Sequence, residues 1–276
     1  MKITNNANLP EPIFNAINNQ FHKKEGYSVT ELIQPIQITK LKKQYEADIV
    51  EDASDRIWAL MGSAIHEVIS KGENKNALTE EFLTTTIGGL KISGMPDYYA
   101  DEVLQDFKFT SVWNVIYDSM NENYQKQLSM YAYMLEEHGF KVNKTQIVYI
   151  LRDWSKTKAM ADHNYPQSQV VVKDFDRIPE IEKWMEERVS ILEGDTRPPC
   201  TESDTWAKKD VFAVMKEGRK SALKLFEKEE DAKVFLTEQK GKCDVVKRGG
   251  ERTRCESYCP VKEFCTQYKA YKEVSK

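Results

Sequence analysis

The sequence predicts an α/β fold followed by a small C-terminal extension that contains the cysteines. Between residues 58 and 152, an amphipathic helical pattern is followed by three β-prone runs, a second helix and a buried strand. A loop with two prolines then covers residues 194–205, and every cysteine lies at position 200 or later. The predicted divisions are an N-terminal helical segment at 1–52, a core at 53–195 and a basic extension at 196–276.

Each predicted element follows from the spacing of its apolar residues. At 58–70 and at 120–138 the apolar residues recur at helical spacing. Short runs rich in β-branched and aromatic residues predict strands instead. The predicted strands lie near 80–87, 90–98, 103–110, 144–152 and 169–173, and a last core helix covers 177–192. Before the core, the sequence predicts a short helix at 9–21 and a strand-like run at 34–40.

The composition is that of an ordinary soluble chain. Its 276 residues are enough to bury a sizeable core, and 40% of them are hydrophobic while 30% are charged. No apolar run approaches the roughly 18 residues of a membrane span. The first residues also lack the charged-then-apolar pattern of a signal peptide. We therefore expect an intracellular protein without a membrane partner.

Charge is unevenly distributed along the chain, although the formal net charge is only −4. Residues 206–276 carry 18 Lys and Arg against 12 Asp and Glu, so the remainder is acidic. A cation site needs local negative charge, whereas a track for phosphates needs positive charge. The asymmetry fits an acidic catalytic core with a DNA-facing C-terminal portion, and it fits ordinary solvated surfaces equally well.

The most informative motif lies at 89–111, which reads GLKISGMPDYYADEVLQDFKFTS. A β-prone run that ends at Asp97 and another that contains Asp106 and Lys108 flank a predicted turn at 98–102, so we expect the two runs to pair as antiparallel strands. Two carboxylates on one face suit a hard cation such as Mg²⁺. A neighbouring lysine can stabilise charge on a phosphate. Taken alone, the tripeptide D-x-K is common, and a turn acid with a solvated lysine would explain it as well.

Two predicted helices each carry a pair of candidate residues four positions apart, which places each pair on one helix face. Gly62 and His66 share a face of the first helix, where the glycine would allow close approach of another backbone and a neutral imidazole can bind a metal. Gln127 and Tyr131 share the core side of the second helix, where they would bond to the lysine, the metal shell or a DNA phosphate. For either helix alone, a partly buried histidine or a glutamine at the solvent edge is the structural alternative.

In chain order the motifs read G-x3-H, G-x-x-D, D-x-K and Q-x3-Y, with Gly94 and Asp97 forming the second. This series resembles the PD-(D/E)xK nuclease superfamily, and more narrowly its RecB-type and phage-type exonuclease branch. The resemblance extends from Arg56 to about Ser155, a little over a third of the chain. It implies a restriction-endonuclease-like core, in which helices flank a central mixed sheet.

The resemblance also implies an activity, which is Mg²⁺- or Mn²⁺-dependent exonuclease cleavage of DNA in phage-type recombination or DNA repair. The setting would be the cytoplasm of a bacterial or phage-infected cell, with a single-strand annealing protein as a partner. The alternatives are a structure-specific or single-strand endonuclease and a catalytically silent DNA-binding or assembly module. Glu80 or Glu81 is a further acidic candidate unless the two form a solvated pair. By resemblance, the metal ligands are His66, Asp97, Asp106 and the Phe107 carbonyl, Lys108 is the catalytic lysine, and Gln127 and Tyr131 support it or contact DNA.

The cysteines form a second motif, because Cys255, Cys259 and Cys265 give the spacing C-x3-C-x5-C. In a reducing compartment this pattern favours metal binding over disulfides, and a fourth thiolate would complete a site for zinc or an iron–sulfur cluster. The spacing resembles the iron–sulfur staple of AddB-type and CRISPR-adaptation nucleases, although there the fourth cysteine precedes the core and here none does. Cys200 is the preferred fourth ligand and Cys243 the alternative. A [4Fe–4S] cluster, Zn²⁺ and free thiols are the three interpretations.

Overall fold

The computed structural model describes residues 1–19, 26–72, 76–118 and 121–274. Helices and strands alternate along most of the chain. In chain order they are β1 (Lys2–Thr4), α1 (Glu11–Asn18), β2 (Tyr27–Ser28), α2 (Val29–Ile33), α3 (Ile36–Gln44), β3 (Val50–Asp52), α4 (Ile57–Ser70), β4 (Leu78–Thr79), β5 (Leu83–Ile87), β6 (Leu90–Gly94), β7 (Tyr98–Ala100), β8 (Val103–Thr110), α5 (Val112–Ile116), α6 (Asn121–Glu137), β9 (Lys144–Leu151), α7 (Lys156–Ala161), β10 (Val170–Phe175), α8 (Ile181–Glu193), α9 (Glu202–Thr205), β11 (Val211–Lys216), β12 (Lys224–Phe226), α10 (Glu229–Thr237), β13 (Cys243–Arg248) and α11 (Thr266–Val274). Of the predicted helices at 9–21 and 120–138, residues 20, 21 and 120 lie outside the described residues.

The chain divides into two compact units. The first comprises Met1–Gln34 with Val50–Arg197, and the second comprises Pro35–Ile49 with Pro198–Lys276. The predicted N-terminal segment at 1–52 is therefore divided, since its residues 35–49 group with the C-terminal part of the chain. The reason is burial, because side chains of this stretch share a hydrophobic cluster with residues far along the sequence. The buried members of that cluster are Ile38, Leu41, Ile49, Val261 and Cys265.

A five-stranded mixed sheet is the centre of the first unit. Its strand order is β10-β9-β8-β7-β4, in which β8 and β9 run parallel and the other neighbours run antiparallel. Helix α6 lies between β8 and β9 in sequence, as a parallel connection requires, and packs against both strands. Its inner face is fully buried through Leu128, Met130, Met134 and Leu135. The predicted α/β class, with helices flanking a mixed sheet, is confirmed.

The predicted pairing of the strand that ends at Asp97 with β8 is wrong. That strand, β6, ends at Gly94 and belongs to a separate three-stranded sheet of order β2-β6-β5. The neighbour of β8 is β7, which lies within the stretch predicted as a turn. The turn is shorter and consists of Asp101 and Glu102, both with a positive φ. Asp97 therefore lies on the chain between two sheets, immediately before β7.

The strand-like run predicted at 34–40 is also wrong, because this stretch forms the start of helix α3. Pro35 occupies the N-cap position of the helix, where its missing N–H has no cost. Residues 36–39 are all buried in succession, which a half-exposed strand with alternating faces would not allow. Burial in the second unit thus outweighs the β-propensity of the isoleucine and threonine side chains.

The second unit contains an antiparallel sheet of order β12-β11-β13. Helix α10 packs against all three strands, with Ala232 fully buried and the rings of Phe226 and Phe235 5.3 Å apart between centroids. After β13 the chain forms a π-helical turn at Arg254–Tyr258 and a 3₁₀ turn at Lys262–Phe264 before α11. Across both units, no helix of the described residues is long and apolar enough to cross a membrane.

Candidate active site

Four of the predicted site residues converge in the first unit. Asp106 and Lys108 are two positions apart on β8 and so share a face, and they form an ion pair through Asp106 Oδ2. His66 lies on α4, which packs against β8, and its Nδ1 is 3.2 Å from Asp97 Oδ1. The charges of Asp97 and His66 also act on Asp106. The structure therefore brings together the imidazole, both acids and the lysine.

Asp97 is held in place by the backbone of the neighbouring strand. Its Oδ2 accepts a hydrogen bond of 2.7 Å from the Phe107 N–H, while its Oδ1 faces His66. The Phe107 ring lies edge-on to Tyr98, with centroids 6.4 Å apart. These contacts fix the carboxylate at the start of β7 beside β8. The metal-binding role of the Phe107 carbonyl stays a prediction.

Asp106 is the most constrained group of the site. Its side chain is 1% exposed; its Oδ2 is paired with Lys108, and its Oδ1 has no hydrogen-bond partner among the described residues. Burial raises its pKa, and attraction to Lys108 opposes that effect. A buried carboxylate oxygen without a hydrogen-bond donor is unfavourable, so the unpartnered Oδ1 of Asp106 fits a site that takes up a cation.

Lys108 remains protonated in this environment. Burial by itself would lower the pKa of Lys108, but attraction to Asp106 and Asp97 outweighs that effect and raises it. The ammonium group also lies 5.5 Å from the ring centroid of Tyr124, close enough for a cation–π contact. Tyr124 was not predicted as a site residue. Its position seven residues before Tyr131, two turns along one face of α6, is the signal that would have indicated it.

His66 interacts with a second acid besides Asp97. A hydrogen bond with Asp97 raises the pKa of His66, and burial acts in the opposite direction. Glu80 Oε1 is 4.0 Å from His66 Nδ1, and the Glu80 N–H donates to the Asp97 carbonyl oxygen at 3.2 Å. Glu80 has a φ of 51°, which is rare for a residue with a side chain. Of the two predicted acidic candidates, Glu80 therefore lies at the site, whereas Glu81 is exposed.

The predicted pair on α6 is buried next to these charges. Gln127 Nε2 donates a 3.3 Å hydrogen bond to Tyr131 Oη. Burial raises the pKa of Tyr131 to about 12, and the charges of Asp106 and Lys108 act on its hydroxyl. Gln127 and Tyr131 therefore lie within electrostatic range of the Asp106–Lys108 ion pair.

As they stand, the side chains of the described residues contain no group of three His, Cys, Asp or Glu arranged to hold a metal ion.

The two glycines of the motifs have different structural roles. A Cβ atom on Gly94 would lie 2.8 Å from Tyr131 Cε1 and 3.0 Å from Met134 Sδ, so the strand can pack against α6 only without a side chain there. A Cβ atom on Gly62 would meet no atom of the described residues within 4 Å. The prediction that Gly62 permits close approach of another backbone is therefore wrong.

In the second unit, four cysteines line one pocket. Cys200, Cys255, Cys259 and Cys265 are all among the residues that line it. Cys243 lies on β13 instead, where it pairs with Lys216 of β11. The structure thus brings the predicted trio together with Cys200, the preferred fourth cysteine, and places the alternative elsewhere.

Polar side chains hold the walls of this pocket. Gln267 clamps the Cys200 backbone, accepting from its N–H at 2.9 Å and donating to its carbonyl oxygen at 2.8 Å. Gln37 Nε2 donates to Cys265 Sγ at 2.9 Å. Burial raises the pKa of Cys200 to about 12 and that of Cys255 to about 11, and the other thiols add to the effect. Neither glutamine was predicted, because a single glutamine gives no sequence signal.

Comparison with known proteins gives distant structural similarities. No protein-family model matches this chain, and no curated protein matches it. Among solved structures, it is similar to a protein named SSO0001, with 19% identity and a TM-score of 0.47, over 71% of this chain and 89% of that one. It is also similar to a putative exonuclease from Eubacterium rectale, with 12% identity and a TM-score of 0.30, over 67% of this chain and 74% of that one. Membership of the nuclease superfamily stays a prediction from the motifs.

Proposed function

We propose that the first unit hydrolyses phosphodiester bonds in DNA, with Mg²⁺ or Mn²⁺ as its cofactor, and that it acts on DNA ends. One observation carries this proposal, namely the buried Asp106–Lys108 pair beside Asp97 and His66. In a structural ion pair both carboxylate oxygens would be satisfied, whereas Asp106 Oδ1 has no hydrogen-bond partner among the described residues. Perturbed titratable groups clustered in this way are typical of functional sites.

Each side chain has a distinct part in the proposed reaction. Asp97, Asp106 and His66 supply the oxygen and imidazole ligands that would hold the cation. When bound, the cation lowers the pKa of a water molecule and neutralises charge on the phosphate. Lys108 keeps its proton, so its Nζ donates to the phosphate oxygens and stabilises the charge that develops there, rather than acting as a base.

Neighbouring residues hold the side chains of the proposed site in position. The Phe107 N–H occupies one oxygen of Asp97, so the carboxylate presents its other oxygen toward His66. Gln127 orients the Tyr131 hydroxyl from the core side of α6. Both act on the reaction by positioning their neighbours. The preference for ends, the setting in phage-type recombination or DNA repair, and the handover to a single-strand annealing protein rest on the sequence resemblance.

The test is digestion of labelled linear and closed circular DNA, each with Mg²⁺ and with Mn²⁺. We expect the wild type to degrade only the linear DNA and Lys108→Ala to be at least about 100-fold slower, as for loss of one stabilising donor. Lys144→Ala is the matched control. It removes an exposed lysine that pairs with Asp174 on the same sheet, and it should leave the rate within about twofold.

Each other outcome of this assay overturns part of the proposal. If the wild type leaves both DNAs intact with both metals, the enzymatic proposal fails and a DNA-binding or assembly module replaces it. If it cleaves the closed circle, the preference for ends fails and the endonuclease alternative stands. If Lys108→Ala and Lys144→Ala cleave equally well, the assignment of the site fails even though the protein is a nuclease.

A second proposal concerns the other unit, where Cys200, Cys255, Cys259 and Cys265 would bind a [4Fe–4S] cluster, with Zn²⁺ as the alternative. What supports it is that these four thiols line one pocket. Thiolates are the ligands of both centres. Arg252 and Arg254 line the same pocket and would offset the negative charge of bound thiolates.

A further inference from the structure

Two exposed aromatic rings are stacked just beyond the end of β8. Trp113 and Tyr117 belong to α5 and its C-terminal cap, and their side chains are 48% and 70% exposed. The ring centroids are 5.8 Å apart, and the planes are inclined by only 15°. Large aromatic rings exposed together indicate an interaction surface. This pair begins five residues after Lys108 of the candidate active site.

A third exposed ring lies on the helix that carries His66. Trp58 is 57% exposed, and the guanidinium of Arg152 lies 4.1 Å from its ring centroid. Trp58 precedes His66 by eight residues on α4, which places it about 12 Å along the helix axis. A cation over an indole ring is a favourable contact that orients the ring, and the Trp58 residue stays more than half exposed.

The two residues that follow β9, Arg152 and Asp153, contact the end of the strand that carries Lys108 and the segments that carry these rings. Arg152 N–H donates to the Thr110 carbonyl oxygen at 2.9 Å, so both strand ends are aligned. The next residue, Asp153, accepts from Ser111 Oγ at 2.6 Å and from the Val112 N–H at 2.7 Å, which anchors the start of α5. Arg152 thus contacts the Trp58 ring, and Asp153 anchors the start of the helix that carries Trp113.

We propose that Trp58, Trp113, Tyr117 and Arg152 form a stacking platform that binds unpaired nucleotides next to the phosphate to be cleaved. This inference rests on the proposed nuclease function and specifies its substrate as a single-stranded or frayed DNA end. Aromatic side chains stack on any base, and arginine adds a cation beside the backbone. The bases of an intact duplex are already stacked on one another and present no face to such rings. Continuity with the phosphodiester site favours DNA over a protein partner.

The test measures binding rather than cleavage. It uses the full chain with Lys108→Ala in every protein, chelator in the buffer, and a labelled single strand of about 12 nucleotides or a blunt duplex of equal length. We expect Trp113→Ala with Tyr117→Ala to weaken single-strand binding about tenfold or more and duplex binding less than twofold. Replacing Trp113 by Phe instead of Ala should keep most of the single-strand affinity, because an aromatic ring remains at that position.

Phe140→Ala is the matched control, because Phe140 is an exposed ring of the same unit just before the opposite end of β9. It should bind both DNAs like its parent. Equal weakening of single-strand and duplex binding would overturn the preference for unpaired nucleotides. Unchanged single-strand binding would overturn the platform. So would a loss of self-association in sedimentation without a change in DNA binding, because the rings would then be an interface between copies of the chain.

The failure of this inference and the failure of the proposed function have different signatures. If the unmodified protein digests DNA while the platform variants bind the single strand normally, the platform alone is wrong. If the unmodified protein digests no DNA with either metal, the proposed function is wrong, whatever the platform variants do. A single strand that the Lys108→Ala parent does not bind at all also overturns the platform.

Discussion

The two candidate sites are built from different kinds of structure. In the first unit, His66, Asp106 and Lys108 lie on a helix and a strand, and the backbone of that strand fixes Asp97. In the second unit the four cysteines lie in connecting segments and short turns, such as the π-helical turn that contains Cys255. A site on regular elements keeps its geometry without a ligand, whereas a site on turns depends more on what it binds.

The ionisable groups of the two candidate sites also differ in how their charges are stabilised. In the first site Asp106 is paired with Lys108 and Asp97 faces His66, so both acids have side-chain partners without a cation. The thiols of the second site are driven toward their neutral form, because burial raises the pKa of Cys200 and Cys255. A metal centre would convert them to thiolates and release protons. Removal of a bound metal should therefore lower stability mainly in the second unit.

The largest effect is expected from the cysteines. In anaerobically purified protein, Cys200→Ser or Cys255→Ser should abolish visible absorption and bound iron and lower the melting temperature. Cys243→Ser should change none of these, because Cys243 pairs with Lys216 on the sheet. Absorption spectra, metal analysis and calorimetry provide the measurements. Colourless wild type with one zinc per chain would replace the cluster by zinc, and wild type without metal would leave free thiols.

The residues of the candidate active site were predictable because their spacing is local. Asp106 and Lys108 share a strand face, and His66 and Gln127 each have a partner four residues away on a helix. The strand pairing was predicted wrongly, although Pro96 gave a signal against it. A proline cannot donate to a sheet ladder, and β6 ends two residues before it.

The stretch at 34–40 shows the limit of local reasoning. Its β-branched residues favour a strand, and the helix that forms instead is stabilised by contacts with Val261 and Cys265, more than 200 residues away in the chain. No pattern within the stretch encodes that contact. Cys200 was identified because thiols are few in this sequence, whereas Gln37 and Gln267 at the same pocket resemble any other glutamine.

An intermediate effect on stability is expected from the two glycines of the motifs. Gly94→Ala should destabilise the protein by roughly 1–3 kcal/mol, because its Cβ would overlap Tyr131 and Met134 in a packed core. Gly62→Ala should stabilise it by up to about 1 kcal/mol, since alanine favours a helix and the space there is open. Urea unfolding of both variants measures the difference. Equal changes in the two variants would contradict the packing of β6 against α6.

The smallest effect is expected from Glu80, which separates a metal site from a simple ion pair. Its carboxylate lies 4.0 Å from His66, too far for a hydrogen bond but close enough to hold the imidazole by charge. Glu80→Gln keeps the shape and removes the charge. We expect the Mn²⁺ concentration needed for half-maximal cleavage to rise about threefold to tenfold, which is at or below the lower end of the roughly 10- to 100-fold effect of residues that hydrogen-bond to a metal ligand. Glu81→Gln, one residue further and exposed, should leave it unchanged. If both substitutions shift the requirement equally, general surface charge is responsible. If neither does, Glu80 is held at its unusual φ by the hydrogen bond to Asp97 alone and contributes nothing to cation binding.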